Sequence, residues 1–152
     1  MRTVASSPPP ARARLGHRPV PWAVPLVLDL ALILVFAALG RRTHAPDAPA
    51  LELTGLLGTA WPFLVGLAAG WAVWRVHRAP VAVWPRGVAL WLTTVAVGMA
   101  LRDVTGAGTA PSFVLVALVV LAVFLLVPRT VTRLLVRRGT PRAAGPSGRR
   151  AR

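Results

Sequence analysis

The sequence predicts an all-α integral membrane protein with four transmembrane helices. Of its 152 residues, 55% are hydrophobic and only 14% are charged, a composition far from that of soluble domains. Polar residues collect at the two ends of the chain and in short interruptions between long apolar runs. A helix needs roughly 20 apolar residues to cross about 30 Å of hydrocarbon. The predicted spans, which together form one domain over 22–128, are residues 22–40, 54–76, 81–101 and 111–127.

The net charge of +14 does not indicate a nucleic-acid-binding protein, because the 18 basic residues lie mainly in the tails. A soluble nucleic-acid binder spreads such residues over a folded polar surface. The chain has no Cys, which excludes disulfides and thiolate chemistry. Its three histidines fall in different segments, so no metal site is expected. No cofactor or nucleophile motif is present in the sequence, and we expect no enzyme activity.

Both ends of the chain are predicted to be disordered basic tails. Residues 1–21 and 139–152 are rich in Arg, Pro, Ser and Gly, and they have too few apolar residues to form a core. A cleaved signal peptide is the competing interpretation of the first apolar run. However, that run contains Asp29 and ends at Gly40-Arg41-Arg42 without a small-x-small site, which favours a retained span.

Prolines mark the predicted limits of the later spans. Pro62 is expected to kink the second span or to mark its first turn, and Pro111 suits the start of the fourth. After Pro128, residues 129–138 are predicted to form a separate basic amphipathic helix. We expect its basic face to bind anionic lipids of the cytoplasmic leaflet. The basic residues of this face are Arg129, Arg133 and Arg137.

The distribution of Arg predicts the orientation in the membrane. One side of the four spans carries 15 Arg and the other side carries 3. Without the four Arg that are distant from the membrane, the ratio is still 11 to 3. Positive residues accumulate on the cytoplasmic side, so both termini are predicted to be cytoplasmic, in a bacterial inner membrane. The loops around Arg41 and Arg102 would then share the outer face.

The two helical hairpins contain similar segments. Gly58-Thr59-Ala60 aligns with Gly108-Thr109-Ala110, each at the predicted outer entrance of a helix. A parallel duplication of a two-helix unit would explain the similarity. Chance similarity in a chain rich in Ala, Leu, Gly and Val explains it equally well.

The polar motifs also resemble a known family. Three stretches carry the resemblance: F-A-A-L-G-R-R-T-H at 36–44, T-A-W-P-F-L-V-G with its G-x-x-x-G-W continuation at 59–71, and R-D-V-T-G-A-G-T-A-P-S-F-V at 102–114. They resemble the largely actinobacterial membrane proteins called domain of unknown function 3054, over roughly residues 22–130. This resemblance implies a compact membrane domain and supplies no activity, ligand or catalytic residue.

Asp29 is the only acidic residue within an apolar span, about 10 Å from the cytoplasmic boundary at 1.5 Å per residue. An ionised carboxylate at that depth is costly unless it is paired or faces a cavity. One hypothesis is a proton- or cation-responsive site, and the other is a neutral or Arg86-paired packing contact. The candidate intramembrane polar site comprises Asp29, Arg86, Trp91, Thr93 and Thr94.

A second candidate site lies at the predicted outer face, where basic and hydroxyl residues converge if the two loops pack together. Such a cluster suits an anionic group or a partner, and the nearby helix N-termini add donors. The alternative is a structural loop in which Arg102 pairs with Asp103 or Asp47 and Thr109 caps the fourth helix. The candidate residues are Arg41, Arg42, His44, Arg102, Asp103, Thr109 and Ser112.

These features favour a non-enzymatic binding or accessory membrane protein whose outer loops recognise an anionic group, a lipid or a partner. The alternative is a small oligomeric transporter or proton-coupled permease unit that uses Asp29. Gly66-x-x-x-Gly70 is expected to mediate close helix packing, within the bundle or in a homodimer. The predicted partners are the lipid bilayer and either another copy of the chain or another membrane protein.

Overall fold

The computed structural model describes residues 20–44 and 52–138. It contains four long helices: α1 Ala23–His44, α2 Leu53–Val73, α3 Val88–Val104 and α4 Pro111–Arg138. A 3-10 turn, Val76–Arg78, and a π-helical turn, Val83–Gly87, connect α2 to α3. Four helical segments are long and apolar enough to cross a membrane, which confirms the predicted fold class. Most of the predicted tails, 1–19 and 139–152, lies outside the described residues, as does Asp47.

The helices differ from the predicted spans mainly at their ends. Pro128, where the sequence predicts the end of the fourth span, lies inside α4. Residues 129–138 are therefore the last part of α4 and not a separate helix. The proline removes one backbone N–H, but α4 continues through it to Arg138, as membrane helices tolerate an internal proline. Pro62 likewise lies well inside α2 rather than in its first turn.

The helices pack in a ring, each on two neighbours: α1 on α2, α2 on α3, α3 on α4, and α4 on α1. The core between them is apolar and includes the fully buried Ile33, Phe63 and Leu121. The outward-facing surface is also apolar, with Val27 64% exposed and Leu115 63% exposed. A contiguous apolar surface of this kind is unfavourable in water, so it fits the hydrocarbon of a bilayer.

Small residues allow α2 and α3 to approach closely. A Cβ atom at Gly66 would lie 2.7 Å from the Thr94 carbonyl oxygen, and one at Gly70 would lie 2.7 Å from the Leu90 Cδ1 atom. The backbone of α2 therefore packs directly on α3 at these positions. Both glycines of the G-x-x-x-G motif face a neighbouring helix within the bundle.

The two similar segments lie at the same end of the bundle but have different backbone conformations. Gly58-Thr59-Ala60 is helical and lies within α2. Gly108 has a φ of +79° in the loop before α4, a conformation that glycine adopts without steric cost. The sequence alignment therefore does not match equivalent structural positions, and the duplication stays a hypothesis.

Candidate functional site

The polar residues of the bundle lie near its two ends. The Asp29 end is where α1 and α3 begin, and the Arg102 end is where α1 and α3 terminate and α2 and α4 begin. Asp29 is in the second turn of α1, only 2% exposed, and Arg129 of α4 is 3% exposed. Arg129 Nη1 donates to Asp29 Oδ1 at 2.8 Å, and its Nη2 donates to Oδ2 at 2.6 Å. This bidentate ion pair, the strongest common form of such contacts, joins the first helix to the last.

A third helix joins this ion pair. Trp71 Nε1 of α2 donates to Asp29 Oδ2 at 3.0 Å. Arg129 Nη1 also donates to the Leu125 carbonyl at 2.6 Å, while its buried Nε has no hydrogen-bond partner among the described residues. A cavity of about 90 Å³ borders Asp29, Arg129 and Thr132. The carboxylate of Asp29 therefore accepts three hydrogen bonds inside the bundle.

The other residues predicted around Asp29 have different partners. Trp91 donates to a backbone carbonyl of α4 at 3.0 Å. Thr93 accepts a hydrogen bond from an indole N–H beyond the end of α2 at 2.9 Å. Thr94 donates to a carbonyl of its own helix at 2.8 Å. Arg86 is half-buried and forms no ion pair with Asp29.

The predicted polar site is therefore corrected to Asp29, Trp71 and Arg129. The prediction that Arg129 lies on the anionic lipid surface is also wrong, because α4 is longer than expected and carries Arg129 inside the bundle. Arg133 is exposed, whereas the side chain of Arg137 lies outside the described residues. One signal pointed to the true partner: Arg129 is the first basic residue after the fourth apolar run.

At the opposite end, Arg102 organises the loop between α3 and α4. Its Nε donates to the Gly108 carbonyl at 3.2 Å, and its Nη2 donates to the Ala107 carbonyl at 2.7 Å. The guanidinium carbon lies 4.4 Å from the centre of the Phe113 ring, within the range of a cation–π contact. Gly106 and Gly108 have φ values of +69° and +79°, which give the loop its tight path around the guanidinium.

The remaining residues of the predicted outer site are dispersed. The Thr109 hydroxyl donates to Asp103 Oδ1 at 3.2 Å. Arg102 contacts the loop carbonyls and not Asp103. Ser112 is exposed and lines an apolar groove, and Arg42 is exposed. His44 ends α1, but its side chain lies outside the described residues.

Arg41 extends from the end of α1 across the start of α2. Its Nη2 lies 3.4 Å from Glu52 Oε2. Its guanidinium occupies the space where a Cβ atom of residue 55 would be, so a larger residue there would displace the Arg41 side chain. The buried Nε of Arg41 has no hydrogen-bond partner among the described residues. Sequence reasoning missed Glu52 and Gly55, since nothing in their spacing indicates a contact with Arg41.

A cavity of about 400 Å³ lies between these two arginines. Arg41 and Arg102 both line it, and among the described residues no carboxylate does; the other lining residues are Gly40, Thr59, Ala107, Gly108, Ala110 and Phe113. We call it the cationic cavity. The part of its wall that the structure describes therefore carries two positive charges and no acidic residue.

The N-terminus of α4 opens on the cationic cavity. Val114 N–H donates to the Ala110 carbonyl at 3.0 Å, which places Ala110 at the position before the helix. Alanine has no side-chain oxygen with which to cap the helix. In the described part of the chain, no side chain accepts a hydrogen bond from the N–H of Ser112 or Phe113. Free N–H groups at a helix start favour anions, so the cavity is suited to a phosphate or carboxylate group.

The chain matches the model of a protein family. The model of a family described as "Protein of unknown function (DUF3054)" matches residues 26–132. This is more than half of the chain, so the protein belongs to that family, and the resemblance found in the sequence is confirmed. No curated protein matches the chain, and no solved structure does.

Proposed function

We propose that this member of the DUF3054 family is a non-enzymatic binding or accessory membrane protein that recognises an anionic group in the cationic cavity. The observation that carries the proposal is the presence of two arginines and an uncapped helix start around a cavity whose described lining residues include no acid. These are the donors with which proteins bind phosphate and carboxylate groups.

Arg102 has N–H donors, unused among the described residues, that are available to such a ligand. A guanidinium has five N–H donors, and its contacts with the Ala107 and Gly108 carbonyls use two of them. Those carbonyls are neutral, so they leave the positive charge of Arg102 uncompensated. Arg102 forms no ion pair within the described residues. An anion in the cavity would supply the missing negative charge.

Arg41 is also incompletely neutralised. Its ion pair with Glu52 is 3.4 Å long, and the Glu52 side chain is 53% exposed. Ion pairs with an exposed partner contribute only about 0–1 kcal/mol. An anionic ligand could therefore replace Glu52 at little cost. A hydrogen bond to a charged group is worth about 1.5–3 kcal/mol, which corresponds to a factor of about 10 or more in Kd.

The cationic cavity is on the outer face in this proposal. The Arg102 end carries three Arg, whereas the opposite side carries the rest of the 18, and the positive side is cytoplasmic. Arg129 no longer counts as a surface charge, but the asymmetry remains large without it. The ligand would then approach from outside the cell or from the outer leaflet of a bacterial plasma membrane.

Thermal unfolding in mild detergent tests the anion site. We expect sn-glycerol 3-phosphate to raise the Tm of the protein, because a ligand that binds only the folded state stabilises it. Glycerol, which has no charge, should not. Arg41→Gln and Arg102→Gln should each raise the Kd about tenfold or more. Arg42→Gln is the matched control, since Arg42 is adjacent in α1 but exposed and outside the cavity.

The two cavity variants separate binding from folding. Arg102 also holds the loop, so Arg102→Gln is expected to lower the Tm without ligand, whereas Arg41→Gln has only an exposed partner to lose. Equal stabilisation of wild type and Arg41→Gln by glycerol 3-phosphate would refute the anion site.

A transporter or proton-coupled permease unit that uses Asp29 is the second candidate function. The observation in its favour is the cavity of about 90 Å³ beside Asp29 and Arg129. Against it, the carboxylate accepts three hydrogen bonds, which supports a packing role. Proteoliposomes with a pH gradient distinguish the two roles. Proton flux that is present in wild type and absent in folded Asp29→Asn would support transport, and absence of flux in wild type would reject it.

A further inference from the structure

An apolar groove runs along the side of the bundle next to the cationic cavity. It has a volume of about 330 Å³ and lies between α1 and α4, where its walls include Phe36, Leu39, Val116 and Val120. Leu39 is 49% exposed and Val116 is 51% exposed, so the groove opens on the outward surface of the helices. We call it the α1/α4 groove.

The groove and the cationic cavity are continuous. Gly40 and Phe113 line both of them. Phe113 packs against the core on one side, with ring centres 6.2 Å from Phe36 and 6.3 Å from Phe63. The guanidinium of Arg102 also lies over the Phe113 ring. An apolar surface open to hydrocarbon thus leads directly to a positively charged cavity at the end of the bundle.

We propose that the ligand of the cationic cavity is a membrane phospholipid with an anionic head group, which enters sideways from the bilayer. Its phosphate lies between Arg41 and Arg102, and one acyl chain lies in the α1/α4 groove. This inference rests on the proposed anion site and adds the chemical class of the ligand. It also assigns the groove, which the proposed function leaves unused.

The chemistry of the two compartments matches the two parts of such a lipid. A phospholipid joins a phosphate to acyl chains at the boundary between water and hydrocarbon. Here the arginines follow directly after the apolar residues of α1, with Arg41 next to Gly40 of the groove. The charged and apolar compartments therefore have the same order along the membrane normal as the head group and the chains.

A second copy of the chain fits this surface less well. In a symmetric dimer the same patch faces itself. Pairing through the α1/α4 groove would bring two cationic cavities, each with Arg41 and Arg102, towards one another. Like charges placed together are repulsive. A phospholipid instead neutralises the charges while it fills the groove.

The acyl chain contributes to the binding affinity because it holds the phosphate near the cavity, and not because of its own hydrophobicity. A chain that moves from the bilayer to the groove stays in an apolar environment, so no large transfer free energy is gained. Covalent attachment holds the phosphate near the cavity, which raises its effective concentration there. The lipid should therefore bind more tightly than its isolated head-group fragment.

Native mass spectrometry of the full chain in mild detergent tests this inference. The probes are dioleoyl phosphatidylglycerol, dioleoyl phosphatidylcholine and sn-glycerol 3-phosphate. We expect phosphatidylglycerol to bind at least tenfold more tightly than either of the others. Val116→Trp, which fills the groove, should weaken phosphatidylglycerol binding at least tenfold and leave the Kd for glycerol 3-phosphate unchanged.

The matched control is Val119→Trp, the same substitution on the same helix at a residue 55% exposed and outside the groove. It should bind phosphatidylglycerol as wild type does. Leu39→Trp fills the groove from α1 and provides a second variant in case Val116→Trp does not fold. A Tm within the range of the control establishes that each variant is folded.

The outcomes separate this inference from the function on which it rests. Unchanged phosphatidylglycerol binding in both groove variants overturns the lipid assignment. If glycerol 3-phosphate binding still depends on Arg41 in that case, the anion site stands. Dimers that disappear in Val116→Trp, without lipid adducts in wild type, assign the groove to a second copy and also overturn the inference. If Arg41→Gln and Arg102→Gln bind glycerol 3-phosphate and phosphatidylglycerol as wild type does, both proposals are overturned.

Discussion

At the scale of single residues, burial of the Asp29 carboxylate carries a large desolvation cost. An unpaired ion inside an apolar bundle is strongly unfavourable. Asp29 is stabilised there because the Arg129 guanidinium contacts both of its oxygens and the Trp71 N–H contacts one of them. These bonds fix the rotation of three helices about their axes, since each side chain must point at the same place.

We expect the loss of either charge to destabilise the protein more than the loss of both. Removing one partner of a buried ion pair costs about 3–5 kcal/mol, because the other charge remains buried without compensation. Asp29→Leu and Arg129→Met should therefore each lower the Tm strongly. The double variant leaves no unpaired charge and should regain much of the loss. Thermal unfolding followed by tryptophan fluorescence measures all three.

Arg133→Met provides the control for this cycle, because Arg133 lies on the same helix but is exposed. It should leave the Tm nearly unchanged. Additive losses in the double variant would contradict an energetic coupling between Asp29 and Arg129.

At the scale of helices, the contact between α2 and α3 depends on glycines, which have no side chain to hold the helices apart. Gly66 and Gly70 bring the backbone of α2 against Thr94 and Leu90, and Gly98 of α3 accommodates the Phe63 ring. Without a hydrophobic driving force between helices in lipid, close packing of this kind is a main source of helix association.

Gly66→Ala should loosen this contact. The added Cβ atom would lie 2.7 Å from the Thr94 carbonyl oxygen, so the helices must shift, at a cost of about 1–3 kcal/mol. Gly58→Ala on the same helix is the matched control, because its Cβ atom would have no neighbour within 4 Å. It should be neutral or slightly stabilising, since Ala has the higher helix propensity. Equal Tm values for the two variants would contradict the packing role of Gly66.

The sequence predicts the number and type of the helices but not their rotation. Hydropathy is sufficient for the four spans, because apolar residues lie on all sides of α1 and α4, whether they contact protein or lipid. For the same reason it does not indicate which side of α1 carries Asp29 towards its partner. The sequence places Arg129 outside the fourth span because a proline predicts a helix end, although a membrane helix tolerates an internal proline.

At the Arg102 end, the structure brings together two of the seven predicted residues. Arg41 and Arg102 both line the cationic cavity. The contact of Arg41 with Glu52 and Gly55 depends on how the end of α1 lies over the start of α2. Sequence separation gives no information about such a crossing, so these residues were missed.

At the scale of the whole molecule, the two ends of the bundle differ in character. The Asp29 end has its buried charges paired with each other, whereas the Arg102 end has positive charges that face an open cavity. The Asp29 end thus holds the helices together, while the Arg102 end contains the cavity in which we propose that a ligand binds. The predicted orientation places that open end outside the cytoplasm.

Single-cysteine labelling tests this orientation directly, because the chain has no natural Cys. We expect Ala107→Cys, in the exposed loop at the Arg102 end, to react with a membrane-impermeant maleimide added to intact cells. His77→Cys, exposed at the opposite end, should react only after the membrane is permeabilised. The reverse pattern would invert the orientation and place the cationic cavity in the cytoplasm.

The ion pair between Asp29 and Arg129 has a consequence for biosynthesis, because its two members are 100 residues apart in the chain. At about 5–20 residues per second, the ribosome needs about 5–20 s after Asp29 before it adds Arg129. During that interval the first helix has no counter-charge for its carboxyl group. Membrane assembly therefore cannot finish helix by helix as the chain emerges. The first helix is fully paired only after the last helix has been inserted. A chain that ends before residue 129 keeps an unpaired acidic residue in its first helix and is exposed to quality-control proteases.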